Sequence, residues 1–343
     1  MISICLLAGT LSPAHADITV RLDTSLARNV MADICSGRDI DEDAIRHNPA
    51  IRDMLTHFRK FRNYITMDNY LDARRKAAGC QKIDRDYFRF NDVMNNRQEI
   101  NDLLDKLSET QAETSARVAR MIAPFSPGDT DFSGSAVVAV GTPSCGGWAV
   151  GDDFYIDLPC IRDDPEGMTF LIAHETYHAV QNEFMPPAPE NDPVRLIMFE
   201  AIREGAASTL ADFNKVDSDA RYSRASKRSL RINHHRMPLN FTLLEMAISH
   251  LGGNQDGERY KEVYNIGFSG SFDAPFYAIG QTVIGAVDEA FGRPHLVCRL
   301  ETSPEVLFLD YLDLTKKDSA LPALGPATRS EVIKLEKDRT DCR

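Results

Sequence analysis

The chain has 343 residues, with 43% hydrophobic and 26% charged side chains, and a formal charge of -12. The first two values are ordinary for a globular protein. The third excludes a nucleic-acid partner, which needs a concentrated basic face; Arg59–Arg62 and Arg221–Arg231 are short and read as solvated helix faces. No stretch approaches the roughly 20 apolar residues of a membrane-spanning helix, so stable membrane insertion is not expected.

Residues 1–16 join an apolar stretch to Ala14-His15-Ala16, the small-x-small form of a signal-peptidase site before Asp17. This predicts a leader over 1–16 and a periplasmic or secreted protein. The basic residue that usually opens such a leader is missing, which leaves the translation start open. Cysteine usage agrees with export. Without Cys5 there remain Cys35, Cys80, Cys145, Cys160, Cys298 and Cys342, an even number with no CxxC pair, which fits disulfides better than a metal cluster. Local bridges Cys35–Cys80, Cys145–Cys160 and Cys298–Cys342 would each staple one region, but six cysteines allow fifteen pairings and sequence does not choose among them.

From 17 to 125 the pattern is helical, with apolar residues such as Ile51, Met54, Leu55 and Phe58 at helix spacing and no strand-like alternation. Pro124–Gly134 has loop composition. Ser135–Val140 and Trp148–Leu158 read as a hairpin or two neighbouring strands. Pro165–Met185 returns to helical periodicity, and Pro193 suits the first turn of a helix reaching about Phe213. Asn214–Asn240 is polar and undecided. Phe241–Leu251, Tyr277–Phe291 and Pro304–Thr315 are further helices. The expected fold is therefore α+β and mostly helical, with a small sheet before the helix of Pro165–Met185. The expected division is an N-terminal helical region over 17–125, a catalytic core over 126–215 and a C-terminal helical region over 216–343 that completes the cleft.

The strongest chemical signal is His174-Glu175-Thr176-Tyr177-His178. On a helix, positions i and i+4 share a face, so two imidazoles can hold one zinc ion while Glu175 faces the attacking water as general base. The flanking residues Phe170–Ala173 and Ala179-Val180 are apolar, so the helix is buried and two histidines and a carboxylate there would be costly without a metal. A catalytic zinc takes three protein ligands. The next helix offers Glu200 and Glu204, again i and i+4. If Glu200 is the ligand, Glu204 could orient a histidine; if Glu204 is the ligand, Glu200 or Asp212 could do so. His234 and His235 read as surface residues.

HETYH followed by Arg203-Glu204-Gly205-Ala206-Ala207 resembles the gluzincin metallopeptidases, whose third zinc ligand is a glutamate on the helix after HExxH. The likeness implies a zincin-like core and selects Glu204. Tyr277-Ala278-Ile279-Gly280 is similar to the Y-x-x-G segment of the large gluzincin aminopeptidases, which implies that Tyr277 hydrogen-bonds the oxyanion. The order of parts, including His47-Asn48-Pro49-Ala50, resembles bacterial zinc-dependent peptidases classed as domains of unknown function. Gly146–Val150 stands where those aminopeptidases carry G-x-M-x-N, so their recognition of a substrate amine is not implied. The resemblance also implies that Trp148–Leu158 is the edge strand that a peptide substrate would join. Together these readings lead to a zinc-dependent hydrolase acting on a peptide or protein. Two rivals are a non-catalytic zinc-binding or recognition protein on the same scaffold, and a zinc amidase acting on cell-wall peptides.

Overall fold

The computed structural model describes residues 16–60, 62–150, 153–252 and 257–342; the expected leader, apart from Ala16, lies outside the described residues. The fold is α+β and mostly helical, with a four-stranded sheet in the order β1-β2-β4-β3. The strands are β1 (Asp17–Asp23), β2 (Asp131–Ala139), β3 (Gly147–Val150) and β4 (Asp153–Asp157).

Two expectations about the sheet are corrected. The region after Asp17 opens with a strand: Asp-Ile-Thr-Val-Arg-Leu-Asp buries Ile18, Val20 and Leu22 and exposes the residues between them. That period-2 pattern is present in the sequence, but it covers one short segment beside a long helical stretch. Its partner lies more than a hundred residues away, with Asp17 opposite Asp131 and Asp23 opposite Val137 in a parallel ladder. In addition, Trp148–Leu158 is not one strand. It divides into β3 and β4, which pair antiparallel, and β4 also pairs parallel with β2. β4 is thus interior and β3 is the edge. Trp148, on β3, is buried against Tyr155 and Phe58.

The helix of the HETYH motif runs from Pro165 to Phe184 and lies against β2, β3 and β4. Asp164 caps it, accepting from the Gly167 N–H at 2.9 Å, and Pro165 occupies its first turn. The other Asp164 oxygen accepts from the Ser223 N–H at 2.8 Å. One buried carboxylate therefore ties the start of the motif helix to the helix Arg221–His235, which fills part of the polar segment that the pattern left undecided. A long helix, Arg97–Ile122, covers β1 and the other side of the motif helix.

Two further helices complete the frame: the glutamate helix, Pro193–Leu210, and the tyrosine helix, Pro275–Phe291. They cross in close contact at Gly205 and Gly280, where a methyl group on either would overlap the other helix's backbone. Glycine is required at this crossing for space. Buried apolar side chains from Ile18 to Leu335 form one contiguous cluster. The disulfides are Cys35–Cys80, Cys145–Cys160 and Cys298–Cys342, the local pairing among the possible ones.

Candidate metal centre

The motif helix turns His174, Glu175 and His178 towards the glutamate helix. His174 Nε2 and His178 Nε2 are 3.2 Å apart, and Glu204 Oε2 lies 3.0 Å from His178 Nε2 and 3.4 Å from His174 Nε2. Zinc–ligand bonds of 2.0–2.1 Å in a tetrahedron separate neighbouring ligand atoms by about 3.3–3.4 Å. The three atoms lie close to that spacing. Glu204 Oε2 is also buried without a hydrogen-bond partner, which is expensive unless a cation takes the lone pair. The donor set of two imidazoles and one carboxylate suits zinc. The residues fit the ion.

Electrostatics describe the same convergence. Burial would lower the His178 pKa, but Glu204 and then Glu175 outweigh it and push it up to about 9. Burial would raise Glu204, yet the two histidines hold it far below the usual carboxylate range. Glu175 is raised, first by burial, with the histidines opposing and Glu204 adding to the shift.

Glu175 faces a cleft of about 410 Å³ whose wall includes Leu171, Ser208, Phe213, Leu230 and Gln281. Space for its carboxylate is made by Gly147, where a Cβ would come within 2.6 Å of Glu175 Cγ. The disulfide Cys145–Cys160 pins the loop that delivers Gly147. Those two sulfurs form a second metal-like grouping with Asp157, but joined to each other they offer no thiolate.

Tyr277 stands in the first turn of the tyrosine helix. The chain enters that helix through Asp273 and Ala274, both left-handed at φ 61° and 47°. Asn233 Nδ2 donates to Asp273 O at 2.7 Å and holds this corner. The Tyr277 ring stacks parallel to His174, with centroids 6.2 Å apart, and its hydroxyl lies in the field of Glu204. Burial, then the charges of Glu204 and Glu175, keep the phenol well above its ordinary pKa, so it is a hydrogen-bond donor at neutral pH.

The remaining candidates divide. Glu200 and Asp212 touch neither histidine among the described residues. Asp212 instead caps the turn Phe213–Lys215, accepting from the Asn214 N–H at 3.0 Å. The orienting role expected of them falls to Gln181, which sequence reasoning missed. Its Oε1 lies 2.9 Å from His178 Nδ1, and its amide nitrogen donates to Arg203 O at 3.0 Å. A carbonyl acceptor at Nδ1 keeps a proton there, so Nε2 is the nitrogen whose lone pair a metal ion would take. The signal available was its position three residues after His178, on the same helix face as the two histidines. His234 and His235 are exposed.

A family model described as "putative zinc dependent peptidase" (DUF5700) matches residues 42–320. The chain belongs to this family. The DUF5700 match spans the histidine pair, Glu204 and Tyr277 alike. Searches of curated proteins and of solved structures returned no match.

Proposed function

We propose that this DUF5700 protein is an exported peptidase that works with one zinc ion held by His174, His178 and Glu204. The observation that carries the reading is the convergence of three ligand atoms at tetrahedral spacing, with the Glu204 oxygen otherwise unpartnered. Zinc bound there supplies a Lewis acid and an acidified water.

The chain's own groups do the rest. Glu175, beside the ligands and open to the cleft, takes the proton of the attacking water and passes it to the leaving nitrogen. Tyr277 donates a hydrogen bond to the oxyanion that develops at the attacked carbonyl. Gln181 holds His178 in the metal-binding tautomer. The free edge of β3, which ends against Glu175 at Gly147, offers main-chain groups to an extended peptide. The cleft beside His174 receives a substrate side chain among mostly uncharged residues. Export is supported by the leader-like residues 1–16 and by three disulfides, which persist in oxidising compartments.

The test is Glu175→Gln in protein loaded with zinc. The expected outcome is unchanged metal content, about one zinc per chain by elemental analysis, with turnover of a peptide-library digest lowered at least about 1,000-fold. Full activity in that variant would overturn the mechanism. Zinc-loaded wild type that releases fragments from cell-wall material but cleaves no peptide would move the reaction to another amide.

A further inference from the structure

The helix Arg221–His235 turns its two sides to different surroundings. Tyr222, Ser226, Ser229, Leu230 and Asn233 line the 410 Å³ cleft. By helix periodicity Arg221, Arg224, Arg228, Arg231 and His235 fall on the opposite side, at spacings of three and four, and all five are exposed. None of these four arginine side chains has a hydrogen bond or an ion pair among the described residues. No acidic residue occurs between Asp219 and Glu245. Asp163 accepts from the Arg221 backbone N–H, and Glu245 is occupied by the backbone N–H groups of Ala327 and Thr328. On a chain of formal charge -12, packing does not account for so much unneutralised positive charge along one line.

The exposed side continues beyond the end of this helix. The helix Met237–Leu251 follows after a single residue, Arg236. Across the junction the buried Asn240 side-chain amide donates to Asn233 Oδ1 at 3.0 Å, so the two helices keep their inner side in common. Their outer side runs on at the same spacing through Leu239, Thr242 and Met246, with Leu239 68% and Met246 64% exposed. Phe272, 54% exposed, joins them, because Arg236 Nη2 donates to its carbonyl oxygen at 2.8 Å. The line is therefore cationic for about 20 Å and apolar after that. An acidic polypeptide in water would use only the cationic part. A bilayer with anionic headgroups uses both, since arginines pair with phosphates while the apolar tips enter the headgroup boundary.

We propose that the outer side of these two helices docks the protein on an anionic lipid bilayer. The binding is peripheral, and no helix among the described residues is long and apolar enough to cross a membrane. The cleft lies on the other side of the basic helix, so docking leaves it turned away from the lipid. In sequence, Arg221–Arg231 reads as a solvated helix face. The fold adds the missing counter-charges and the apolar continuation. Docking does not depend on the peptidase chemistry, because none of these arginines touches the metal centre.

The experiment is flotation of the zinc-loaded protein with vesicles of phosphatidylcholine alone or mixed with phosphatidylglycerol. Binding to the mixed vesicles should be at least about tenfold tighter and should weaken as salt is added. Arg224→Gln with Arg228→Gln should weaken it at least about tenfold, and if that pair disturbs the melting temperature, Arg221→Gln with Arg231→Gln serves in its place. Leu239→Ser with Met246→Ser should weaken it at least about threefold. Lys82→Gln with Arg85→Gln removes two other exposed cations and should change nothing. Polyglutamate is the soluble probe and should bind more weakly than the mixed vesicles. No preference for the anionic vesicles, binding that survives the arginine changes or the Leu239 and Met246 changes, or equal weakening by the Lys82 and Arg85 changes would each overturn the proposal. Polyglutamate bound as tightly as the vesicles would overturn it in favour of an acidic polypeptide.

Discussion

Two buried carboxylates in this protein sit beside paired potential ligands, and they end differently. Asp157 lies against Cys145 and Cys160, and every demand is met: Arg89 donates to one oxygen at 2.9 Å, the Thr142 hydroxyl to the other at 2.7 Å, and the sulfurs are bonded to each other. Glu204 lies against His174 and His178, yet its Oε2 has no donor. Both clusters are buried, charged and close to the cleft. The difference is satisfaction: a closed network holds a loop in place, whereas an open one keeps a position for something that arrives later.

Glu204→Ala should break the comparison most completely. Stoichiometric zinc should be lost, and chelator should lower the melting temperature of wild type but leave that of the variant unchanged. Retention of zinc at one per chain would place the metal elsewhere. Arg89→Met attacks the closed cluster and should cost up to about 3–5 kcal/mol at the alkaline pH where Asp157 is ionised, because it strands a buried carboxylate. The pH dependence has a definite sign. Burial raises Asp157 to about 7 even with Arg89 present. A carboxyl raised above its unfolded value favours the fold when protonated, and that advantage is lost as pH rises through about 7. Denaturant melts of Arg89→Met should therefore approach wild type as pH falls below 7 and diverge above it; a penalty independent of pH would sink this account. Gln181→Ala is the mildest change. It should leave the fold intact and weaken zinc by about 10–100-fold in competition with a chromogenic chelator, since only the orientation of His178 is relaxed.

The legibility of the site followed distance along the chain. His174, Glu175 and His178 could be read because helix geometry places i and i+4 together whatever surrounds them. Glu204 and Glu200 are equivalent by that rule, and only the likeness to other metallopeptidases separated them. Gln181 escaped because a neutral amide carries no chemical flag until its partner is known. β1 escaped because seven alternating residues acquire meaning only from the strand that they join, which lies beyond the long helix Arg97–Ile122. The break between β3 and β4 was marked in the sequence only by Gly151-Asp152-Asp153, a short turn-forming run inside an otherwise strand-like segment.

From sequence alone came the motif helix with its paired imidazoles and the glutamate beside them, the mostly helical α+β class and a set of cysteines suited to disulfides. These are properties of local periodicity and composition, and no distant contact can rearrange them. The tertiary structure decided which glutamate meets the histidines, which strand forms the free edge and which side chain fixes His178. Each depends on how separate elements approach one another: the glutamate helix is set by its crossing with the tyrosine helix at Gly205 and Gly280, and that crossing presents Glu204 to the histidine pair while leaving Glu200 a turn away.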